Sequence, residues 1–270
     1  MSGLSPQPVR TPPGEGSEPA RIHRLGLERT MILLIVLAVS SIDCRHRGDP
    51  ASPVLLFDGS GTSPGDVAAI ESLLTESGLA YDTAGSWRLD RMSEAELAAH
   101  RLLIVPGGDF MVMGKNLKWT TGAKIRSAVQ NGLGYLGICG GALMAADSPD
   151  YNGFNLTCGV RFGFYADVSR GIHKDSVAIA RPHEAPLDQY WEDGPQLAGW
   201  GDVVAKYPDG TPAIAEGAVG RGWAILSGVH PEAPESWRRG MTFATPAAVD
   251  RAYAATLISA ALQQTALPHF

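Results

Sequence analysis

The chain has 270 residues, of which 22 are Lys or Arg and 28 are Asp or Glu, so its formal net charge is −6. This charge disfavours a basic nucleic-acid-binding protein, and the hydrophobic fraction of 44% excludes a chain that is disordered throughout. It has only three cysteines, and this small and odd number does not suit a disulfide scaffold. The length allows one large domain or two small ones.

The first fifty residues differ in composition from the rest of the chain. Residues 2–20 are rich in Pro, Gly and Ser with almost no large apolar side chains, which predicts a disordered tail over 1–30. A basic stretch, 21–29, then precedes the apolar run 31–39. This order is typical of a signal peptide, and the run is shorter than a membrane-spanning helix needs. A buried strand or an N-terminal helix is the structural alternative, and the protein could also start at Met31.

Cys44 follows the apolar run where a bacterial lipoprotein carries its lipidated cysteine. Asp43 directly before it departs from the small residue that such a cleavage site prefers. We therefore interpret 31–51 as a signal-peptide-like or lipoprotein-like segment and linker. This interpretation predicts export, or membrane anchoring in a bacterial cell envelope, with a cytoplasmic location as the alternative.

From residue 52 onward, short apolar runs alternate with helical patterns. Strands are predicted at 53–57, 79–83, 102–105 and 133–138. Helices are predicted from the Ser63–Pro64 cap to Gly78, after the Ser93 capping box, over 116–131 and over 140–146. Such alternation implies crossover units and a parallel sheet.

After residue 150 the pattern becomes β-rich, and turn signals separate the segments. Further strands are predicted at 160–166, 176–180, 203–207, 213–218 and 223–226, before a closing helix over 246–262. The sequence therefore predicts an α/β fold with a mostly parallel central sheet and added β-rich segments in the C-terminal half.

The sharpest local feature is Gly137–Ala142 (GICGGA), in which a buried strand runs into Cys139 and a helix begins at once. Small neighbours permit such a strained strand–nucleophile–helix turn. The helix N-terminus favours a thiolate, and the following amide can stabilise an oxyanion. The alternative for an isolated cysteine at this place is simple packing as a small apolar side chain.

Two further motifs lie at the ends of predicted strands. The glycines of Val105–Asp109 (VPGGD) free the amides of Gly107 and Gly108 to approach a ligand, and they form the second half of a candidate oxyanion hole. Ser227–Glu232 (SGVHPE) supplies His230 as a general base and Glu232 as a carboxylate that orients it. Open parallel sheets carry their sites at these carboxyl ends, although each motif alone is typical of a turn.

Together these motifs resemble the class I glutamine amidotransferase-like superfamily, and most closely the branch found at the N-terminus of some biotin–protein ligases. Gln189–Pro195 (QYWEDGP) resembles a Tyr-x-x-Gly-Gly-Pro stretch of that branch. Lys206–Gly210 (KYPDG), followed by Gly220–Gly222 (GRG), resembles it as well. We therefore treat 52–270 as one domain of this type.

The resemblance implies a flavodoxin-like three-layer sandwich, with Cys139 as nucleophile, His230 as base and Glu232 as third member of a triad. It also implies that the amides of Gly108 and Gly140 form the oxyanion hole. The expected activity is that of an amidohydrolase or amidotransferase acting on a small-molecule or peptide carboxamide. Gly140–Leu143 differs from the residues that contact glutamine in glutamine-hydrolysing members. The alternative function is a non-catalytic binding or regulatory module of the same fold.

The remaining candidates are assigned ordinary roles. His173, His183 and Glu184 lack metal-ligand spacing, so we expect no metal, and nothing in the sequence calls for a cofactor. We expect Cys158 to be a packing residue, with a disulfide to Cys139 as the alternative.

Overall fold

The computed structural model describes residues 51–165 and 171–270. The predicted tail over 1–30, the predicted export segment up to residue 50, and Cys44 lie outside these residues. In the described part of the chain, every helix is too short or too polar to cross a bilayer.

Eleven strands and seven helices are assigned in the described residues. The strands are β1 (Val54–Phe57), β2 (Tyr81–Ala84), β3 (Leu102–Val105), β4 (Gly134–Ile138), β5 (Gly163–Phe164), β6 (Lys174–Arg181), β7 (Glu184–Glu192), β8 (Pro195–Gln196), β9 (Asp202–Lys206), β10 (Pro212–Val219) and β11 (Gly222–Ser227). The helices are α1 (Pro64–Glu76), α2 (Ser86–Arg91), α3 (Glu94–Ala98), α4 (Phe110–Lys115), α5 (Trp119–Gln130), α6 (Gly140–Ala145) and α7 (Ala247–Gln263).

Nine of these strands form one mixed sheet in the order β2-β1-β3-β4-β11-β10-β9-β6-β7. The first five are parallel to one another. Every pairing from β11 to β7 is antiparallel, so the expected mostly parallel sheet describes only the first half. Parallel neighbours need crossover helices, whereas the β-rich C-terminal half is joined by hairpins and extends the same sheet.

The parallel strands are apolar on both faces because helices cover both. In β1, Val54 and Leu56 join a buried cluster with α1 and α7. Leu55 and Phe57 of the same strand join a second cluster with α2 to α6. Continuous apolar runs are typical of strands buried in this way. The helix starts predicted at Ser63 and Ser93 are confirmed, because Ser63 caps α1 and Ser93 forms a capping box at α3.

Several predicted boundaries are wrong for local reasons. The strand predicted at 79–83 begins two residues later, because the Leu79 amide still donates to the Leu74 carbonyl at the end of α1 (2.9 Å). The helix predicted over 116–131 begins at Trp119, since Asn116 closes the unpredicted α4. Of the strand predicted at 160–166, the described residues retain β5, whose pairing partner among them is the two-residue β8.

Strand β7 and helix α2 are also absent from the sequence-based prediction. Pro186 lies inside β7, and proline, which cannot donate a backbone hydrogen bond, argues against a central strand. The structure accommodates it because β7 is the last strand of the sheet. Helix α2 has six residues and no side-chain cap, so it carries little sequence signal.

Candidate active site

The candidate site lies at the carboxyl ends of the parallel strands. Cys139 follows β4, Gly107 and Gly108 follow β3, and the segment with His230 follows β11. The Cys139 amide donates to the Ser227 carbonyl (2.7 Å), which joins the ends of β4 and β11 directly. The topology therefore brings together residues from all three motifs.

Cys139 occupies a sharp turn between β4 and α6. Its backbone has φ 50° and ψ −108°, a conformation that an L-residue adopts only under strain. Gly141 permits the turn because a Cβ there would lie 1.9 Å from the Val105 carbonyl oxygen. Cys139 is 7% exposed, and its Sγ donates a hydrogen bond to the Glu192 carbonyl at 3.4 Å. The local geometry is that of a nucleophile elbow.

Gly108 and Gly140 meet beside this turn. A Cβ on Gly140 would lie 2.4 Å from the Gly108 carbonyl oxygen and 3.1 Å from its nitrogen, so the two backbones are in close contact. Gly108 has φ +136°, which favours glycine. Both residues line the cleft that contains Cys139. The two backbones therefore border the cleft side by side, next to Cys139.

Gly107 lies against the side chains of Asp66 and His230. Its carbonyl accepts a hydrogen bond from the Ser63 amide (3.0 Å). A Cβ on Gly107 would lie 2.2 Å from Asp66 Oδ1 and 2.7 Å from His230 Cε1. Its missing side chain therefore makes room for these two side chains, and Gly107 is not a cleft-lining residue.

His230 is held on several sides. Its Nδ1 forms a 2.9 Å hydrogen bond with Glu232 Oε1, and its backbone amide donates to the Tyr190 carbonyl at 2.8 Å. The rings of Tyr190 and Trp237 both pack edge-on against it, and they are tilted relative to each other. His230 is 4% exposed and Glu232 is fully buried, yet the imidazole lines the Cys139 cleft.

A second carboxylate beside His230 was not predicted from the sequence. Asp66, in the first turn of α1, places Oδ1 3.0 Å from His230 Nδ1 and is 4% exposed. In the sequence, Ser63 and Pro64 indicate only a helix start. The signal that could have revealed Asp66 is an acidic side chain just after the carboxyl end of β1, where parallel sheets carry their sites.

The charges of this cluster depend on one another. Burial disfavours the charged form of His230, but Cys139, Glu232 and Asp66 facing the ring outweigh burial and raise its pKa well above the ordinary value. Burial raises the pKa of Glu232 in spite of the nearby imidazolium. Burial also opposes ionisation of Asp66, but His230 and the Ser63 hydroxyl hold its pKa below the ordinary value.

The cleft has a volume of about 510 Å³ and an acidic and aromatic lining. Asp109, Glu192 and Asp193 line it, together with Phe110 and the 44% exposed Phe164. No Lys or Arg lines this cleft within the ranges 51–165 and 171–270. Its interior therefore suits neutral or positively charged groups better than anions.

The segment that resembled a Tyr-x-x-Gly-Gly-Pro stretch forms one wall of the cleft. Asp193 stands at the position of the first glycine and has φ +46°, a backbone conformation that favours glycine. Gly194 occupies the second position, where a Cβ would lie 1.8 Å from the Gly228 carbonyl oxygen. The stretch therefore needs small or left-handed residues because it packs directly against the segment before His230.

Asp66, His230 and Glu232 bring one nitrogen and two carboxylate donors within 4.8 Å of one another. Their direct contacts of 2.9 and 3.0 Å are those of an imidazole whose Nδ1 bonds to one carboxylate and faces the charge of a second. We therefore interpret them as a hydrogen-bonded cluster and not as metal ligands.

The other sequence candidates lie outside this cluster. His173 Nδ1 contacts Asp193 Oδ1 at 2.7 Å on the surface, and His183 occupies the turn between β6 and β7. Cys158 is exposed, so its predicted packing role is wrong; it lies in a turn with φ 54°. Cys139 and Cys158 are both free, so the alternative of a disulfide between them is also wrong.

Comparison with known proteins supports the family resemblance of the sequence. Residues 52–176 match the family model described as Biotin-protein ligase, N terminal. A biotin–protein ligase from Schizosaccharomyces pombe is 28% identical over 163 residues, which is 50% of this chain and 26% of that protein. The chain therefore spans about a quarter of the length of this curated relative. The predicted resemblance to the biotin–protein ligase N-terminal branch is confirmed.

Two solved structures resemble the fold. One is the exo-β-1,4-mannosidase Op5Man5 from Opitutaceae bacterium strain TAV5 (TM-score 0.51, 16% identity, 77% of this chain and 36% of that chain). The other is a Thermoplasma acidophilum protein provisionally assigned as part of a GMP synthase (TM-score 0.50, 12% identity, 79% of this chain and 96% of that chain). At these identities the likeness concerns the fold alone.

Proposed function

We propose that this protein is a cysteine-nucleophile amidohydrolase or amidotransferase with a flavodoxin-like sandwich fold. The observation that carries the proposal is the shared cleft of Cys139, in its strained turn, and His230, which Glu232 orients. A packing cysteine needs neither the strain nor the buried base beside it. Strain of this kind persists at functional sites because the surrounding structure enforces it.

The residues support a two-stage acyl transfer. His230 takes the Cys139 thiol proton, and the sulfur forms a bond to the carboxamide carbon. The amides of Gly108 and Gly140 donate to the resulting oxyanion. The carbon–nitrogen bond then breaks as His230 returns the proton to the leaving amine. Water, or an acceptor amine, next attacks the thioester carbon, and Cys139 leaves with a proton restored through His230.

The lining of the cleft indicates which amides to test. Asp109, Glu192 and Asp193 place negative charge around the nucleophile. A carboxamide with a free carboxylate close to the amide meets this charge without a compensating Lys or Arg from the described lining, while the His230 imidazolium is already paired with Asp66 and Glu232. Neutral amides and amides that carry an ammonium group are therefore the proposed substrates.

Ammonia or amine release from a panel of carboxamides tests the function. The panel contains glutamine, amino-acid amides and amidated peptides, and each is incubated with the wild-type protein and with Cys139→Ala. We expect release that Cys139→Ala abolishes. Release that Cys139→Ala leaves unchanged contradicts the proposal.

A binding or regulatory module is the second candidate function. It is favoured by the hydrogen bond from Cys139 Sγ to the Glu192 carbonyl, which engages the thiol in the resting protein. This candidate predicts a thiol that reacts no faster than an ordinary cysteine. Site-resolved alkylation therefore separates the two functions.

Export or envelope anchoring through residues 31–51 stays a prediction. Fractionation of bacterial cells producing the full chain tests it, with Cys44→Ala as the matched variant for lipidation. Membrane association that depends on Cys44 supports a lipoprotein, whereas an unprocessed chain in the cytosolic fraction contradicts export.

A further inference from the structure

The base of the site has one donor facing two buried carboxylates. Nδ1 of His230 lies 2.9 Å from Glu232 Oε1 and 3.0 Å from Asp66 Oδ1. The hydrogen-bond geometry favours Glu232, so Asp66 Oδ1 forms no hydrogen bond with any described residue. Glu232 therefore accepts the Nδ1 hydrogen bond, whereas Asp66, at nearly the same distance, acts on the ring mainly through its charge.

The fold specifically accommodates this second carboxylate. Asp66 lies in the first turn of α1, where its amide donates to the capping Ser63 hydroxyl at 3.4 Å. Gly107 has no side chain at the place where a Cβ would lie 2.2 Å from Asp66 Oδ1. A buried carboxylate without a partner is costly, so its position against the imidazole is better explained by their charge interaction than by packing.

The two carboxylates differ in how readily they ionise. Burial raises the pKa of Glu232, whereas the imidazolium outweighs burial at Asp66 and lowers its pKa. Lys174, Glu192 and Arg239 line a neighbouring pocket together with His230. The titratable side chains that contact the ring or act on it directly are Asp66 on α1, Glu232 on its own segment, Cys139 before α6 and Tyr190 on β7. Asp66 is the member of this set most suited to stay charged.

We propose that Asp66 is a second positioning residue for His230, which stabilises the imidazolium formed when Cys139 loses its proton, while Glu232 orients the ring. The role of the imidazolium in catalysis rests on the proposed function. The charge interaction itself is a property of the folded protein and is measurable without a substrate.

The test is the titration of His230 by ¹⁵N-resolved imidazole NMR in the wild-type protein, Asp66→Asn and Asp109→Asn. Asp109→Asn is the matched control, because Asp109 lines the same cleft but its side chain caps α4. We expect Asp66→Asn to lower the His230 titration midpoint by about one to three pH units, as loss of a nearby opposite charge does. Asp109→Asn should change it far less.

A His230 midpoint in Asp66→Asn that equals that of Asp109→Asn overturns the proposal. Thermal unfolding shows whether Asp66→Asn is folded, and Asp66→Glu is a second variant, which should restore most of the midpoint if charge is the cause. Alkylation of wild-type Cys139 is measured in parallel. An inert wild-type thiol contradicts the proposed function, whereas the His230 midpoints still decide the role of Asp66.

Discussion

Substituting Gly107 by alanine tests how tightly the site is built. The new Cβ would lie 2.2 Å from Asp66 Oδ1 and 2.7 Å from His230 Cε1, whereas ordinary contact begins at 3.4 Å. Relief therefore needs movements of 3.4 − 2.2 = 1.2 Å at Asp66 and 3.4 − 2.7 = 0.7 Å at His230. Movements of this size break contacts that are now 2.9 and 3.0 Å long.

Overpacking of this kind costs about 1–3 kcal/mol of unfolding free energy. For a protein of this size that lowers Tm by roughly 2–4 °C per kcal/mol. Calorimetry measures the loss, and imidazole NMR shows whether His230 has moved. Gly217→Ala is the control, because the nearest atom to its Cβ would be Trp200 Cζ2 at an ordinary 3.5 Å. A Gly107→Ala protein with wild-type stability and an unchanged His230 spectrum refutes the reasoning.

Three further outcomes are expected. Asp66→Asn should destabilise the fold most between pH 3.8 and 6.5, the ordinary pKa values of Asp66 and His230. Because the folded-state pKa of Asp66 is lowered, its stabilising contribution is complete above pH 3.8 and is lost as the pH falls through that lowered pKa. Because the folded-state pKa of His230 is raised, its contribution is complete below pH 6.5 and is lost as the pH rises through that raised pKa. Urea unfolding measured across pH should show the largest loss of unfolding free energy in this range, roughly 1–3 kcal/mol. A loss that does not depend on pH contradicts the prediction. Dialysis against a chelator should leave the His230 titration and Cys139 alkylation unchanged, and a loss that one divalent metal restores contradicts the hydrogen-bonded cluster. Asp193→Asn should reduce the preference for ammonium-bearing over carboxylate-bearing amides in the ammonia-release assay. If the ratio of the two release rates is unchanged, Asp193 does not contribute to substrate specificity.

The parallel half of the fold was predictable because its signals are local. A strand covered on both faces must be apolar throughout, as β1, β3 and β4 are. Helix starts at Ser63 and Ser93 follow from side chains that accept from nearby amides. The convergence of Cys139, His230 and Glu232 followed from one rule, that parallel strands carry their sites at their carboxyl ends.

The parts that were missed depend on contacts distant in sequence. Asp66 and His230 are 230 − 66 = 164 positions apart, and nothing near Asp66 indicates which strand end it will face. Gly107 and Gly108 are adjacent glycines, yet only packing decides that one makes room for side chains and the other lines the cleft. Pro186 concealed β7 because a sequence pattern does not show which strand lies at the sheet edge.

Site-resolved alkylation tests the central claim most directly, because the chain contains its own control. Iodoacetamide is applied to the folded protein near pH 7, and mass spectrometry follows Cys139, which is 7% exposed, and Cys158, which is exposed. An activated nucleophile predicts that Cys139 reacts faster, by about tenfold or more, and that His230→Ala removes this advantage. Preferential reaction of the more exposed Cys158 in the wild-type protein contradicts a cysteine nucleophile at this site.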